Sequence, residues 1–414
     1  MPMSSPSFAL ILHGATGFTG QLVAEFLDQE AQRDLSWAIA GRNRAKLEAL
    51  QARLKSRPAV LIADSQDGPS VDALVKQAKV LCTTVGPYSR YGTPILSACA
   101  RRGVDYCDLS GEIPWIARSI ESFHEEARRS GSRIVHSCGY DAVPFDLGVY
   151  LTQRKALEKF QVPCRSVSAG LIDSKGGLSG GTLASILEVM REAQGDEDIA
   201  TLLRDPICLQ RNSGWQDDSA RSEQRGIRHR PGFGWTGPHL MAPINLKIVR
   251  RSQCLLPETY GRAFEYDEFV SFGPGLRGHA KARLMSAALK AFSLALQPAP
   301  IRSRLVGRLL PKPGEGPGRE ARESGFFRLG LRGQGRSPRG APFHLETLFQ
   351  GQGDPGYAAT SRMLGTVALC LATGQLEHPS RYGVLTPAAS IGLSLIEPLR
   401  KRGFSIESKI TQGD

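Results

Sequence analysis

The stretch Gly14-Ala15-Thr16-Gly17-Phe18-Thr19-Gly20 decides how this chain is read. Before it stands a short apolar run, Phe8-Ala9-Leu10-Ile11-Leu12-His13, with the texture of a buried parallel strand. After it, Leu22, Val23, Phe26 and Leu27 recur at helical spacing. Strand, glycine turn and helix in this order form a phosphate cradle. Gly14 permits the tight turn, Gly17 lets the backbone approach a pyrophosphate, and Gly20 lets helix and strand pack closely. Phosphate would meet the free N–H groups at the positive helix end, which places Thr16, Phe18 and Thr19 among the cofactor contacts. The spacing is G-x-x-G-x-x-G, a variant common among NADP-using folds. The second strand, Trp37-Ala38-Ile39-Ala40, then selects the nucleotide. An NAD site places Asp or Glu at this strand end for the ribose 2′-hydroxyl. Here the residues are Gly41-Arg42-Asn43-Arg44, with no carboxylate before Glu48. Arg42 can pair a 2′-phosphate bidentately, with Asn43 beside it. The expected cofactor is NADP(H).

Further strands follow at Ala59–Ala63, Val80–Val85, Val104–Asp108 and Arg133–His136, with helices between them at about Asn43–Lys55 and Pro94–Arg102. This alternation predicts an α/β fold: an N-terminal Rossmann-type doubly wound parallel sheet over residues 1–155. Asp64, after the third strand, could contact the adenine amino group or cap the next helix. Gly86-Pro87-Tyr88 ends the fourth strand, where ligands bind in open parallel sheets. Gly86 and Pro87 would shape backbone near the nicotinamide, and Tyr88 or Tyr91 could cover the ring or donate a proton.

The texture changes after about residue 155. Gly176-Gly177, Gly180-Gly181 and 311–318 are turn or loop chemistry. Strand-like runs at Ser166–Ile172, Ile244–Val249, Gly325–Leu331 and Phe343–Phe349 predict a second α+β domain, 156–350, on a largely antiparallel sheet. Residues 356–373 return to helix, with Ala359, Met363, Val367 and Leu371 as the apolar stripe, and a last helix covers about Ala388–Arg400. Residues 351–414 form the third unit.

The 414 residues carry a formal net charge of +12, with 41% hydrophobic and 22% charged residues. That balance suits a globular chain and disfavours disordered or collagen-like readings. Eight scattered cysteines without C-x-x-C spacing read as reduced, buried thiols in a cytoplasmic protein. No metal site is expected. No apolar run reaches membrane-spanning length, and the first residues lack the pattern of a secretion signal. Residues 221–262 hold 8 Lys/Arg against 2 acidic residues, and 299–340 hold 10 against 3. The basicity therefore sits in the second domain. Between these stretches lies the apolar helical segment 284–296. It is either core or an interfacial helix on a membrane or an acidic carrier protein. No nucleic-acid-binding pattern accompanies the charge.

Taken together, the glycine loop, Ala40-Gly41-Arg42, Val85-Gly86-Pro87-Tyr88, Asp105-Tyr106-Cys107-Asp108-Leu109-Ser110-Gly111-Glu112 and Gly139-Tyr140-Asp141-Ala142-Val143-Pro144-Phe145-Asp146 resemble the saccharopine dehydrogenase-like oxidoreductases. Gly353–Tyr357 and Leu385–Ala388 are similar as well. Within that family the resemblance is greatest to the trans-acting enoyl reductases, which reduce a carbon–carbon double bond on a chain carried by a separate synthase. The resemblance implies C-terminal helices packed back on the nucleotide domain. It also implies an acyl or lipid-like substrate; the basic flanks of 284–296 add an acidic carrier protein or peripheral membrane contact as expectations, and a homodimer is a further one.

Enoyl reduction needs a hydride at the β-carbon and a donor as the enolate forms. Tyr88, Tyr140 and Asp141 are the catalytic candidates, with Tyr91 beside them. A Tyr-x-x-x-Lys pair is absent (Tyr150 is followed by Arg154), which argues against the short-chain dehydrogenase mechanism. His136, at a strand end, reads as structural. Two alternatives remain open: a nucleotide-bound lipid or membrane adaptor without turnover, and an amino-acid dehydrogenase of the saccharopine type. A long apolar tunnel beside the nicotinamide would favour acyl substrates, and a small basic pocket amino acids.

Overall fold

The structure is a computed structural model that describes residues 6–30, 35–177, 179–210, 226–295 and 316–412. Its first half alternates strand and helix: β1 (Phe8–His13), α1 (Phe18–Glu30), β2 (Trp37–Gly41), α2 (Arg44–Arg53), β3 (Ala59–Ile62), α3 (Gly68–Val75), β4 (Ala78–Thr83), α4 (Tyr88–Arg102), β5 (Asp105–Cys107), α5 (Ile113–Ser130) and β6 (Arg133–Val135). Successive β1 side chains point to opposite faces. Leu10 and Leu12 enter one core layer with Val23 and Leu27 of α1, while Ile11 enters the other with Leu96 of α4 and Ile116 of α5. Covered on both sides, the strands need no polar face.

The second half contains α6 (Val143–Phe160), β7 (Ser166–Lys175), α7 (Gly180–Gly195), α8 (Glu197–Arg204), β8 (Arg228–Arg230), β9 (Gly234–Pro238), α9 (Ala242–Leu255), α10 (Pro257–Tyr260), β10 (Glu265–Ser271), α11 (Gly275–Ala295), β11 (Phe326–Arg336), β12 (Pro342–Gln352), β13 (Gly383–Leu385) and β14 (Phe404–Gln412). The first sheet runs β13-β6-β5-β4-β1-β2-β3 and the second β14-β12-β11-β7-β10-β9-β8. All pairings in the first sheet are parallel; in the second only β7 and β10 pair in parallel. The fold is therefore α/β, a Rossmann-type sheet joined to a largely antiparallel one. The C-terminal chain threads both, since β13 extends the first sheet and β14 pairs with β12 of the second. The helix Thr360–Thr373, between β12 and β13 in the chain, packs against β1, β4 and α1. It is buried from Thr360 to Ala372 apart from Arg362, so its apolar surface is wider than one stripe.

Several elements differ from their sequence reading. Ile244–Val249 is helix α9, not a strand. Its β-branched residues imitate a strand, and burial running from Asn245 to Cys254 removes the polar face that marks an ordinary helix. Helix α4 starts at Tyr88 rather than near Pro94, because the Glu112 carboxylate supplies the acceptor for its first N–H groups. Helix α7 begins at Gly180, inside a segment read as loop, where Ser179 caps it by accepting the Thr182 N–H at 2.9 Å. The expected Ala388–Arg400 helix is three short segments, interrupted at Gly392, which takes φ +61°. All eight cysteines are buried free thiols. No helix among the described residues is long and apolar enough to cross a membrane. The apolar segment that starts at 284 is not core: Leu284 is 73% and Leu294 63% exposed on α11. Residues 221–225 and 299–315 of the basic stretches, 311–315 of the predicted loop, and residue 296 lie outside the described residues.

Candidate functional site

The glycine loop joins β1 to α1 as the sequence requires. Gly14 takes φ +82°, and a Cβ there would lie 2.6 Å from the Val85 side chain. A Cβ on Gly20 would lie 2.2 Å from the Gly14 carbonyl oxygen, so only glycine lets α1 sit this close to the strand end. No acidic residue occupies the first turn of α1. Its positive end is therefore open to an anion. Thr16 lies beside Gly41 at the end of β2, its hydroxyl 3.9 Å from where a Gly41 Cβ would be. Thr19 lines the cavity described below. Phe18 turns away, packing edge-on against Tyr357 at 4.8 Å with the Arg322 guanidinium 5.3 Å above it.

Arg42 is exposed beyond β2 and makes no hydrogen bond or ion pair among the described residues. A free guanidinium beside an anion cradle fits a 2′-phosphate. Asn43 is engaged differently: its side-chain oxygen caps α2 by accepting the Lys46 N–H at 3.0 Å. Asp64 does not cap α3; Asp67 does, accepting the Ser70 N–H at 3.2 Å. Asp64 turns its carboxylate to the Gln66 N–H at 3.0 Å. His13, buried at the end of β1 with its Nδ1 3.2 Å from the Thr83 hydroxyl, is pushed down to about 4 by burial. Asp64 opposes that shift and Arg42 adds to it. His13 is thus neutral at physiological pH and adds no charge to the cradle.

The Gly86–Pro87 peptide is cis, and Pro87 precedes the first turn of α4. Glu112, 1% exposed, accepts the Tyr88 and Ser89 N–H groups at 2.8 Å each. A carboxylate at a helix N-terminus complements its dipole and forms charge-assisted bonds. The Tyr88 hydroxyl donates to the Thr83 carbonyl at 3.3 Å and accepts the Leu109 N–H at 3.1 Å, while its ring stacks on Trp115. Tyr88 also lines the cavity described below. Asp108 organises the next loop, accepting the Ser110 N–H at 3.0 Å, the Ser137 N–H at 3.1 Å and the Tyr106 hydroxyl at 2.9 Å. His136 belongs to this buried network, with Nδ1 2.8 Å from Asp108 and Nε2 2.9 Å from Ser119.

These loops border a cavity of about 420 Å³. Thr19, Thr84 and Gly86 line its nucleotide side, and Ile186, Val189 and Met190 of α7 line the side opposite. Met241 and Ile244 extend the apolar wall. Among the described lining residues Asp141 is the one carboxylate, and no arginine is present. Burial pushes the Asp141 carboxyl up to about 6, opposed by His239 and by a hydrogen bond from Thr182. Behind it, Glu268 accepts from Asn245 at 2.9 Å and from the Tyr266 hydroxyl at 2.8 Å, with His239 Nδ1 2.5 Å away. Tyr140 is not among the described lining residues; its buried hydroxyl has no hydrogen-bond partner among the described residues, and its ring meets Phe327 edge-on at 4.8 Å. Tyr91 is half-buried in the second turn of α4 and does not line it either.

The sequence reading missed two contributors. Lys247, 2% exposed, lines the cavity and donates from Nζ to the Pro243 carbonyl at 3.2 Å. Its signal, a single lysine inside an apolar run, was hidden by the strand reading. Helix α7 is the other. It is tied across the cavity by Ser185, which donates to Glu112 at 2.9 Å, and by ion pairs Arg90–Glu188 at 2.8 Å and Arg118–Glu192 at 3.3 Å.

Comparison with known proteins places this geometry. Residues 10–135 match the saccharopine dehydrogenase NADP binding domain. A Mycobacterium tuberculosis protein that carries the name trans-acting enoyl reductase provisionally is 39% identical, over 99% of each chain. A trans-acting enoyl reductase of Mycobacterium ulcerans is 33% identical, again over 99% of each chain. Saccharopine dehydrogenase (L-Glu forming) of Saccharomyces cerevisiae shares the fold, with a TM-score of 0.55 at 14% identity over 97% of this chain and 99% of that one. With full-length relatives at this identity and the nucleotide domain matched, the chain belongs to the saccharopine dehydrogenase-like family, among the trans-acting enoyl reductases, and is an NADP-dependent oxidoreductase.

Proposed function

We propose that this protein reduces the carbon–carbon double bond of an enoyl thioester whose acyl chain, lipid-like or polyketide, is carried by a separate acidic carrier protein. The observation that carries this reading is the cavity: apolar over most of its wall, continuous with the nucleotide cradle, and holding one carboxyl group. An amino acid with several carboxylates would need a cluster of cations, and among the described lining residues Lys247 is the only cation. The names of the full-length relatives support the same reaction class.

In this reading Gly14, Gly17, Gly20, Thr16 and Thr19 hold the pyrophosphate side of NADPH, and Arg42 holds its 2′-phosphate. Gly86, Pro87 and the Tyr88 backbone, fixed by Glu112, form the nicotinamide platform. NADPH bound there supplies a hydride to the β-carbon. The electrons of the double bond then move towards the thioester oxygen, and the α-carbon requires a proton. Asp141 is the proposed donor, since it faces the cavity and burial favours its neutral form. Tyr88 is left with a packing role by the hydrogen bonds of its hydroxyl, and Tyr140 by its position outside the cavity lining.

The test is NADPH oxidation with a panel of enoyl pantetheine thioesters of increasing chain length. Stoichiometric formation of the saturated thioester is expected. Tight NADPH binding with no turnover across the panel would leave the adaptor reading standing instead.

A further inference from the structure

Helix α11 is the feature that the reaction does not use. Among the described residues it is held on one side. His279 stacks on Trp235 of β9 with ring centroids 4.1 Å apart. Ala282, fully buried, faces Gly237, where a Cβ would lie 3.5 Å from the Ala282 carbonyl oxygen. The opposite side carries apolar residues in the open. At about 100° per residue, Leu276, Ala280, Leu284, Ala287, Ala291 and Leu294 fall within about 80° of arc. Leu276 is 87% exposed.

Cations flank this stripe on both edges, Arg277 and Lys281 on one and Arg283 and Lys290 on the other. Residues 275–295 contain no Asp or Glu. None of the four cations makes a hydrogen bond or ion pair among the described residues, unlike Arg90 or Arg230, each paired with a carboxylate. Positive potential is thus left uncompensated around an apolar centre, the arrangement of a docking surface for a partner of opposite sign.

Direction matters too. His279 lies beside Trp235 and Ala282 beside Gly237, so α11 advances with β9. The exit of β9 leads through His239 into Leu240 and Met241 of the cavity wall. The second half of the stripe therefore lies towards the cavity end of the second sheet.

Three occupants compete. The chain's own segment 296–315 carries Arg302, Arg304, Arg308 and Lys312 against Glu315 alone, and would add like charge. An anionic membrane would gain little, because the stripe is half alanine and has no aromatic residue to anchor at the interface. A protein helix gains more: alanines let a partner's backbone approach closely, and acidic flanks would meet the four cations. We propose that α11 is the docking helix for the acidic carrier domain that presents the enoyl chain, an inference that rests on the enoyl-reductase reading above.

The experiment uses the full chain, with the double variant Arg283→Glu/Lys290→Glu and the single variant Leu284→Asp. Each is tested with crotonyl pantetheine and with crotonyl phosphopantetheine on an acidic acyl-carrier domain. Carrier binding is measured separately by calorimetry at low salt. For the carrier-borne substrate kcat/KM should fall about tenfold or more, and wild-type turnover should weaken with salt. Crotonyl pantetheine kinetics and NADPH affinity should stay unchanged, which also reports an intact fold. Unaltered carrier kinetics and carrier binding in both variants would overturn the docking role. So would loss of binding to phosphatidylserine vesicles with carrier binding intact, which would assign the helix to a membrane. If wild-type protein fails to reduce even crotonyl pantetheine, the catalytic reading falls, and calorimetry with the carrier domain decides the docking surface by itself.

Discussion

The Glu112 carboxylate is bound to the first turn of the helix that starts at Tyr88: one oxygen accepts the Tyr88 N–H at 2.8 Å, and the other accepts the Ser89 N–H at the same distance. Glu112→Gln keeps the shape but replaces one acceptor with a donor facing a backbone N–H. Losing charge-assisted bonds at a buried site costs about 1–3 kcal/mol. Denaturant unfolding should show that loss, together with a raised KM for NADPH.

Arg42→Ala should weaken NADPH while sparing NADH. A charge-assisted contact is worth about 1.5–3 kcal/mol, or roughly a 10- to 150-fold change in affinity. Titration of cofactor fluorescence reads it directly. Equal losses for both nucleotides would remove Arg42 from the 2′-phosphate.

Gly20→Ala tests the close approach of α1 to β1. Its Cβ would lie 2.2 Å from the Gly14 carbonyl oxygen, and rigid backbone on both sides offers no relief. The expected result is a lowered melting temperature, with cofactor binding lost or much reduced.

Asp141→Asn should lower kcat by about 10²–10⁴-fold, the range for a positioned acid. Burial raises the carboxyl from 3.8 to about 6, so the folded protein favours the protonated form. A neutral Asp141 donates below that value and loses its proton above it. Wild-type activity should therefore decline as pH rises through about 6, and the variant should lack that limb. Stability has the same sign: the contribution of the raised group is complete below 3.8 and fades as pH climbs through about 6. The pH dependence of unfolding should flatten in the variant.

Ile186→Trp fills the α7 side of the cavity. It should cut turnover of long enoyl chains by tenfold or more while short chains are still reduced. A uniform loss across chain lengths would place Ile186 outside the acyl path.

The nucleotide half was legible because its signals are local. Gly14 and Gly20 stand within a few residues of the strand end, where backbone geometry dictates glycine, and Gly17 and Arg42 stand beside them as the proposed cofactor contacts. The cavity's far wall was not legible. Helix α7 opens with two glycines, which weaken any helical signal, and α9 is apolar on nearly every side, so periodicity could not separate it from a strand. Asp141 was found through its motif, whereas its surroundings, Thr182, His239 and Glu268, come from three distant segments. Tyr88 illustrates the converse: its position at the strand end was evident, but only tertiary contacts show that its hydroxyl is occupied.

The first sheet ends on β13, whose residues Gly383–Leu385 pair with Arg133–Val135 of β6. The nucleotide domain, whose other six strands lie within residues 8–135, is therefore finished by a strand from far along the chain. Until residue 385 emerges, β6 presents an open edge, a template for wrong partners during synthesis. A fragment cut after α6 would inherit the same unpaired edge, together with an exposed apolar surface where the helix Thr360–Thr373 belongs. The sheet that carries the glycine cradle is thus complete only once residues 383–385 have joined it.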